Sequence, residues 1–236
     1  RGVLTLQIEN DLFAGLDEQY TNGTYLNWTQ PTNELPLIGR ALRDGLKGVV
    51  AAPAWRMSFG VGQSMFTPND ITVPDPPEDE RPYAGFLFVS AQLSADSGRR
   101  LDTFGLGIGV TGPASLAEAA QKFIHNDLGI GDTPRGWDTQ IGTEMAFRFL
   151  YEQKRRLGTE LGDAWGGLSS LEVEAIPHLA LALGTVDTSA SAAITLRLGQ
   201  GLVMDWGVPR VRRSVAPSLR LGDADARTRW NVFAGA

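Results

Sequence analysis

Apolar residues recur at every second position through much of the chain. Leu4, Leu6 and Ile8 alternate with Thr5, Gln7 and Glu9, and Leu26 and Trp28 with Tyr25, Asn27 and Thr29. Trp55, Met57, Phe59 and Val61 alternate with Arg56, Ser58, Gly60 and Gly62. The same period continues through 87–93, 103–110, 145–151, 171–183, 194–198 and 230–234. A period of two belongs to a pleated strand, whose successive side chains point to opposite faces. The pattern predicts about nine strands and no dividing linker, hence one all-β domain over residues 1–236.

The apolar faces of these strands are nearly free of charge. The opposite faces carry Arg56, Glu144, Arg148, Glu172, Glu174 and Arg197, or glycine. Two architectures satisfy this pattern. In a transmembrane barrel the apolar face meets lipid, where an Arg or Lys at mid-bilayer costs roughly 2–4 kcal/mol, and charge is tolerated inside. In a soluble sandwich the apolar face is the packed core and the polar face is wet. Periodicity alone does not separate them.

Two segments read as helix. Ser115-Leu116-Ala117-Glu118 has the spacing of a capping box, with Ala119, Ala120, Phe123, Ile124 and Leu128 following at helical intervals. From Ile38 to Val49, Ile38, Leu42, Leu46 and Val49 share a looser stripe, with Arg40, Arg43 and Lys47 elsewhere. That segment suits a membrane interface or an ordinary protein surface.

If the strands form an up-and-down meander, every second connection emerges at one rim. The first strand ends near Asn10 and the second begins near Tyr20. The third and fifth strands run in the same direction as the first, so 64–83 and 111–142 are loops at that rim too. Asn10, Asp11, Tyr20, Thr21, Arg81 and His125 are thereby expected together, although far apart in sequence. His178 is expected on a strand, facing inward as a structural residue.

Composition narrows the function classes. With 21 basic and 27 acidic side chains the formal charge is −6, a poor match for nucleic-acid backbones. There is no cysteine, which excludes disulfides and thiolate metal sites. No run of 18 apolar residues exists, so no membrane-spanning helix is expected. Arg1-Gly2-Val3 does not read as a signal peptide; if the protein is exported, its signal is already gone.

Chemistry-bearing residues are few. Histidine is the usual side chain for proton transfer near neutral pH, which draws attention to His125, followed by Asn126 and Asp127. A solvated surface histidine is the competing reading. Asn10-Asp11, with Asp17-Glu18 beyond, offer the oxygen donors that Ca²⁺ favours, yet an Asn-Asp pair is also an ordinary turn signal. Thr21 offers a hydroxyl, or simply strand propensity. No nucleophile elbow, zinc-protease helix or phosphate-binding loop motif is present.

At these residues the sequence resembles the lipid A 3′-O-deacylases of Gram-negative outer membranes. The resemblance lies in Ile8-Glu9-Asn10-Asp11-Leu12-Phe13, Tyr20-Thr21-Asn22-Gly23, 62–68 (GQSMFTP) and Arg81-Pro82-Tyr83-Ala84-Gly85. It continues in Gly112-Pro113, Gln121-Lys122-Phe123-Ile124-His125, Gly136-Trp137 and Gln140, and covers roughly residues 3 to 152. It implies a twelve-stranded barrel in the outer membrane, with its site at the extracellular rim between the wall and a loop helix. It implies Ca²⁺-dependent hydrolysis of an acyl ester of lipid A or lipopolysaccharide. Asn10, Asp11, Thr21 and His125 would be the catalytic residues, with Asp11 and Asn10 holding the ion. Arg81, Tyr83 and Arg135 are candidate substrate contacts, the arginines toward lipid A phosphates. Some family members carry an acidic and an aromatic residue shortly after the histidine; here Gly131-Asp132-Thr133 occupies that stretch. The chain stops at Ala236 in what reads as the ninth strand, so strands that would close the barrel are expected to be missing. The competing functions are a porin-like or structural barrel, an outer-membrane phospholipase and a soluble lipocalin-like binder.

Overall fold

The computed structural model describes residues 2–10, 22–127, 132–160, 171–202, 205–206 and 230–235. Among these, ten strands form one antiparallel sheet. They are β1 (Val3–Asn10), β2 (Asn22–Thr29), β3 (Ala54–Phe66), β4 (Ala84–Asp96), β5 (Arg100–Thr111), β6 (Met145–Arg155), β7 (Leu157–Glu160), β8 (Glu172–Gly184), β9 (Ser189–Gln200) and β10 (Trp230–Gly235). Each strand pairs with its sequence neighbour along β1-β2-β3-β4-β5-β6-β8-β9-β10. The short β7 was not expected from the sequence. It prolongs β6 against β8 beyond a break at Arg156, so the lanes of the sheet still number nine.

The register places Asn10, Asn22, Phe66, Ala84, Thr111 and Met145 at one end, here the upper rim. Thr29, Ala54, Asp96 and Arg100 lie at the lower rim. The meander expected from the sequence is therefore the one that forms.

Exposure decides between the two architectures. Leu6 is 63% exposed and Leu179 58%, whereas Glu174 is 3% and Arg197 2% exposed. The apolar face of the alternating pattern looks outward and the charged face is covered. A soluble sandwich or lipocalin-like binder would show the reverse. An outward apolar belt with no neighbour in the fold is the surface of a protein solvated by lipid. No helix among the described residues is long and apolar enough to cross a membrane, which says nothing against strands that do.

The covered face is concave. Trp206, just beyond the lower end of β9, donates its indole N–H to Asp96 Oδ2 at 3.1 Å. Four strand spacings separate β9 from β4, about 19 Å along the sheet. Only a sheet curling around its interior lets such residues touch.

The interior is more apolar than the sequence suggested. Tyr25, Phe86 and Phe88 form a buried aromatic layer, with Phe86 and Phe88 stacked 4.9 Å apart. Gly60 and Gly62 leave room for it: a Cβ at Gly60 would lie 2.5 Å from the Tyr25 hydroxyl, and one at Gly62 2.5 Å from the Phe88 ring. The Tyr25 hydroxyl is satisfied by Ser90 Oγ at 2.8 Å. Lower down, Glu174 pairs with both Arg156 and Arg197, and Arg197 also pairs with Asp205. The Arg156 guanidinium lies 4.4 Å over the Trp206 ring. His178, half-buried, faces this interior as expected, with Nδ1 3.6 Å from Glu152 Oε1.

One helix, α1 (Leu37–Leu46), interrupts the lower connection between β2 and β3. It packs on the outside of the wall. Its buried Gly39 lies against Met57, and the surrounding cluster joins Leu35, Val50 and Trp55 to Leu93 and Ala95.

Candidate functional site

The long upper connection from β5 to β6 carries His125. It leaves the wall through a tight turn at Gly112, whose φ of +63° suits glycine and whose Cβ would strike the backbone of Ile141 and Gly142. A 3₁₀ turn (Gly112–Ser115), the helix α2 (Ala117–Lys122) and a π turn (Phe123–Asp127) follow.

The capping box expected at Ser115 does not form. The N-cap is Leu116, in the left-handed region at φ 59°. Ser115 Oγ instead donates to the Gly112 carbonyl at 2.6 Å, closing the preceding turn. Glu118 is released from a capping role and pairs with Lys122 at 2.6 Å, and the carboxylate raises the Lys122 pKa. The π turn also shifts the helical stripe. Phe123, expected in the apolar face, is 55% exposed, and Gln121 is the side chain that turns inward.

α2 lies against the outer side of the wall at the top of β3 and β4. A Cβ on Gly85 would come 2.0 Å from Ser115 Oγ and 2.4 Å from the Ala117 methyl, so only glycine permits this approach. Gln63, on the outward face of β3, donates to the Ser115 carbonyl at 2.7 Å. Met65, Tyr83, Ala117 and Trp137 form a buried cluster between helix and wall. Tyr83 and Trp137 pack with ring centroids 4.9 Å apart.

The connection from β3 to β4 is tied into the same structure. Arg135 N–H donates to the Ile71 carbonyl at 2.9 Å, and Ile141 N–H to the Tyr83 carbonyl at 3.1 Å. Trp137 Nε1 donates to Gln121 Oε1 at 2.7 Å, both side chains being buried. The helix before His125 is thus anchored from below by Gln121. Replacing Gln121 with methionine keeps the volume and strands the indole N–H, a loss of about 1–3 kcal/mol. The variant should unfold at correspondingly lower denaturant, while Glu118→Gln, at a more exposed pair, should shift the midpoint far less.

His125 is partly exposed, and its Nδ1 lies 2.6 Å from the Asp132 carbonyl oxygen. A carbonyl only accepts, so Nδ1 carries the proton, and in the neutral ring the lone pair is on Nε2. The arrangement leaves the imidazole in the tautomer of a base.

The register connects this loop to the first hairpin. Asn10 pairs with Asn22, and Asn22 with Met65, the wall residue beneath α2. The backbone of Asn10 is therefore two strand spacings, about 10 Å, from that of Met65. Asp11 and Thr21, like Asp17 and Glu18, lie outside the described residues. Among the described residues no group of three or more His, Asp or Glu is arranged to hold a metal ion.

The three expected substrate contacts divide. Arg81 and Arg135 are exposed at the rim, and the Arg81 guanidinium lies 5.3 Å over the Phe66 ring. Tyr83 is 0% exposed, and its hydroxyl donates to the Ile71 carbonyl at 3.0 Å. Burial pushes its pKa up. Tyr83 is a post joining two loops and offers a ligand no surface, a correction to its reading as a substrate contact. Gln63, Gln121 and Trp137 were visible in the sequence only as motif members; nothing in their spacing announced that they hold the loop.

The family model described as outer membrane protein LpxR matches residues 1–236. Among solved structures, LpxR from Salmonella typhimurium is similar, with a TM-score of 0.69 at 17% identity, over 100% of this chain and 75% of that chain. No curated protein matches the sequence. At that identity the structural likeness bears on the fold alone.

Proposed function

The chain belongs to the LpxR family of outer membrane proteins, and from that premise we propose that it is a hydrolase that removes the ester-linked 3′-acyloxyacyl group of lipid A. The observation that carries this reading is the packing of the His125-bearing loop on the lipid-facing side of the wall, above the register row that runs through Asn22 to Asn10. A porin places its working residues inside the wall, whereas a lipid hydrolase needs them where the bilayer meets the rim.

In the proposed mechanism His125 Nε2 takes a proton from water as that water attacks the ester carbonyl. Its Nδ1–H, held by the Asp132 carbonyl, orients the ring and shares the charge that develops. His125 then returns the proton to the leaving 3′-oxygen of the sugar, so the products are the free acyloxyacyl acid and the sugar hydroxyl. Thr21 supplies a hydrogen bond; as a nucleophile it would need an activating base of its own. Arg81 and Arg135 pair with the phosphates. Asn10 and Asp11 provide oxygen donors only, a set that fits Ca²⁺ and would hold it at the end of β1. Bound there, the ion supplies Lewis-acid polarisation of the ester carbonyl. The acyl chains lie along the outer wall, where a shallow apolar groove of about 550 Å³ runs over Leu26, Trp28, Phe59, Val61, Val89 and Ile108. The rim bearing the site faces the cell exterior, where lipid A resides.

The test gives the protein lipid A and phospholipid in parallel and follows the products by mass spectrometry. Lipid A should lose its acyloxyacyl group and phospholipid should be untouched. A chelator should stop the reaction and added Ca²⁺ restore it. Asp11→Ala should lower the rate at saturating substrate by roughly two orders of magnitude, as expected for loss of charge stabilisation at the carbonyl. Cleavage of phospholipid alone would make the protein a phospholipase; no cleavage of either would leave a non-enzymatic barrel.

A further inference from the structure

At the lower rim, α1 presents three different sectors. Gly39 and Leu46 turn toward the wall, above Met57. Ile38 and Leu42 lie to one side of that face and Leu37 points away from the wall; the three are 57%, 45% and 78% exposed. Arg40, Arg43 and Lys47 occupy the remaining sector, with Asp44 between Arg43 and Lys47 at 3.0 and 2.7 Å. At 100° per residue Ile38 and Leu42 lie roughly opposite Arg40 and Lys47, with Leu37 between the two groups.

A helix in water at the edge of a protein would not leave leucine and isoleucine uncovered beside a wall it already packs against. The cover is argued from two observations. The exposed sector is continuous with the outward belt of β3 to β5, since α1 rests on Met57, Leu93 and Ala95 of the same outer face. The helix is also basic on balance, three cations to one acid, whereas the 67–83 connection at the opposite rim carries Asp70, Asp75, Glu78, Asp79 and Glu80.

We propose that α1 is a membrane-interface helix that seats anionic phospholipid in the leaflet remote from the candidate site, with Leu37, Ile38 and Leu42 among the acyl chains and Arg40, Arg43 and Lys47 at the headgroup phosphates. An amphipathic helix of this composition lies in the plane of the interface, its apolar side in the acyl boundary and its cations at the lipid phosphates. The inference rests on the lipid-facing belt and is independent of the hydrolase reading. It gives the barrel a collar that fixes its depth at the end away from the rim loops.

The absence of cysteine makes the test direct, because a single introduced thiol is the only one in the chain. Ile38→Cys, Leu42→Cys and Arg40→Cys variants carry an environment-sensitive fluorophore and are reconstituted into phosphatidylglycerol–phosphatidylcholine vesicles. Labels at 38 and 42 should be quenched by bromines on the acyl chains and shielded from aqueous iodide; the label at 40 should be open to iodide. Equal iodide access at all three positions overturns the proposal, as does shielding of 38 and 42 from both quenchers, which would indicate a protein partner. A second measurement compares spin-labelled phosphatidylglycerol with phosphatidylcholine at the protein surface. The wild type should prefer the anionic lipid about fivefold, the effect of roughly one interfacial charge, and R40Q/R43Q/K47Q should lose that preference while keeping the gel mobility of the folded barrel. An unchanged preference in the folded triple variant overturns the headgroup assignment.

Discussion

Replacing His125 with alanine should lower the rate of lipid A deacylation by roughly two to four orders of magnitude, the usual contribution of a positioned general base. Binding of lipid A to the protein in vesicles should change little, because the wall and the rim arginines are untouched. The geometry adds a sharper contrast. The partner of Nδ1 is the backbone carbonyl of Asp132, and the Asp132 side chain is exposed. Asp132→Asn should therefore leave the rate essentially unchanged, because the carbonyl remains. His125→Gln should be as inactive as His125→Ala, because an amide is no base. Activity persisting in His125→Ala, or lost equally in Asp132→Asn, would remove the base assignment.

The strands were legible because the pleat imposes period two on any sheet with unlike faces. Leu4, Leu6 and Ile8 showed that a strand exists; they did not show whether lipid or a protein core covers them. That answer lies in which face the fold covers: Glu174 and Arg197, register partners on neighbouring strands, are 3% and 2% exposed and pair on the inner side. The aromatic layer of Tyr25, Phe86 and Phe88 was missed for the opposite reason. Those rings alternate with an equally apolar outward face, so the contrast that periodicity detects is weak there. The small residues of 189–193 hid the first half of β9 in the same way.

The rim loop shows the limit of local signals. Ser115 and Glu118 have capping-box spacing, yet Leu116 takes the N-cap because Gln63 and Gly85 hold the preceding turn tightly to the wall. Tertiary contacts of this kind override a local preference of about 1 kcal/mol. The convergence of Asn10 and His125 on one rim was legible nonetheless, because it needs only strand direction and loop length. The bond from His125 to Asp132 was not, since a π turn and a return through 132–136 set it.

The interior charge network predicts the other large effect. Glu174 is shared by Arg156 and Arg197, all three turned to the inside of the lower sheet, and Arg197 also donates to the Leu202 carbonyl at 2.8 Å. Replacing Glu174 with glutamine keeps its shape and removes one negative charge from between two guanidinium groups. Breaking a buried pair from one side typically costs about 3–5 kcal/mol, because the remaining charge is left uncompensated. The midpoint of guanidinium unfolding in detergent should drop accordingly. Asp205 and the Trp206 ring, which also touch these arginines, place the loss toward the lower end of that range. Deacylation per folded molecule should be unaffected, since Glu174 sits near the lower rim and the proposed site at the upper. Leu101, Ile176 and Trp206 form a buried cluster on the same inner side of the sheet. Planar-bilayer recordings should then show no steady conductance from the wild type. A Glu174→Gln variant with unchanged stability would mean that the two arginines are satisfied elsewhere, and an open wild-type channel would return the porin-like reading to contention.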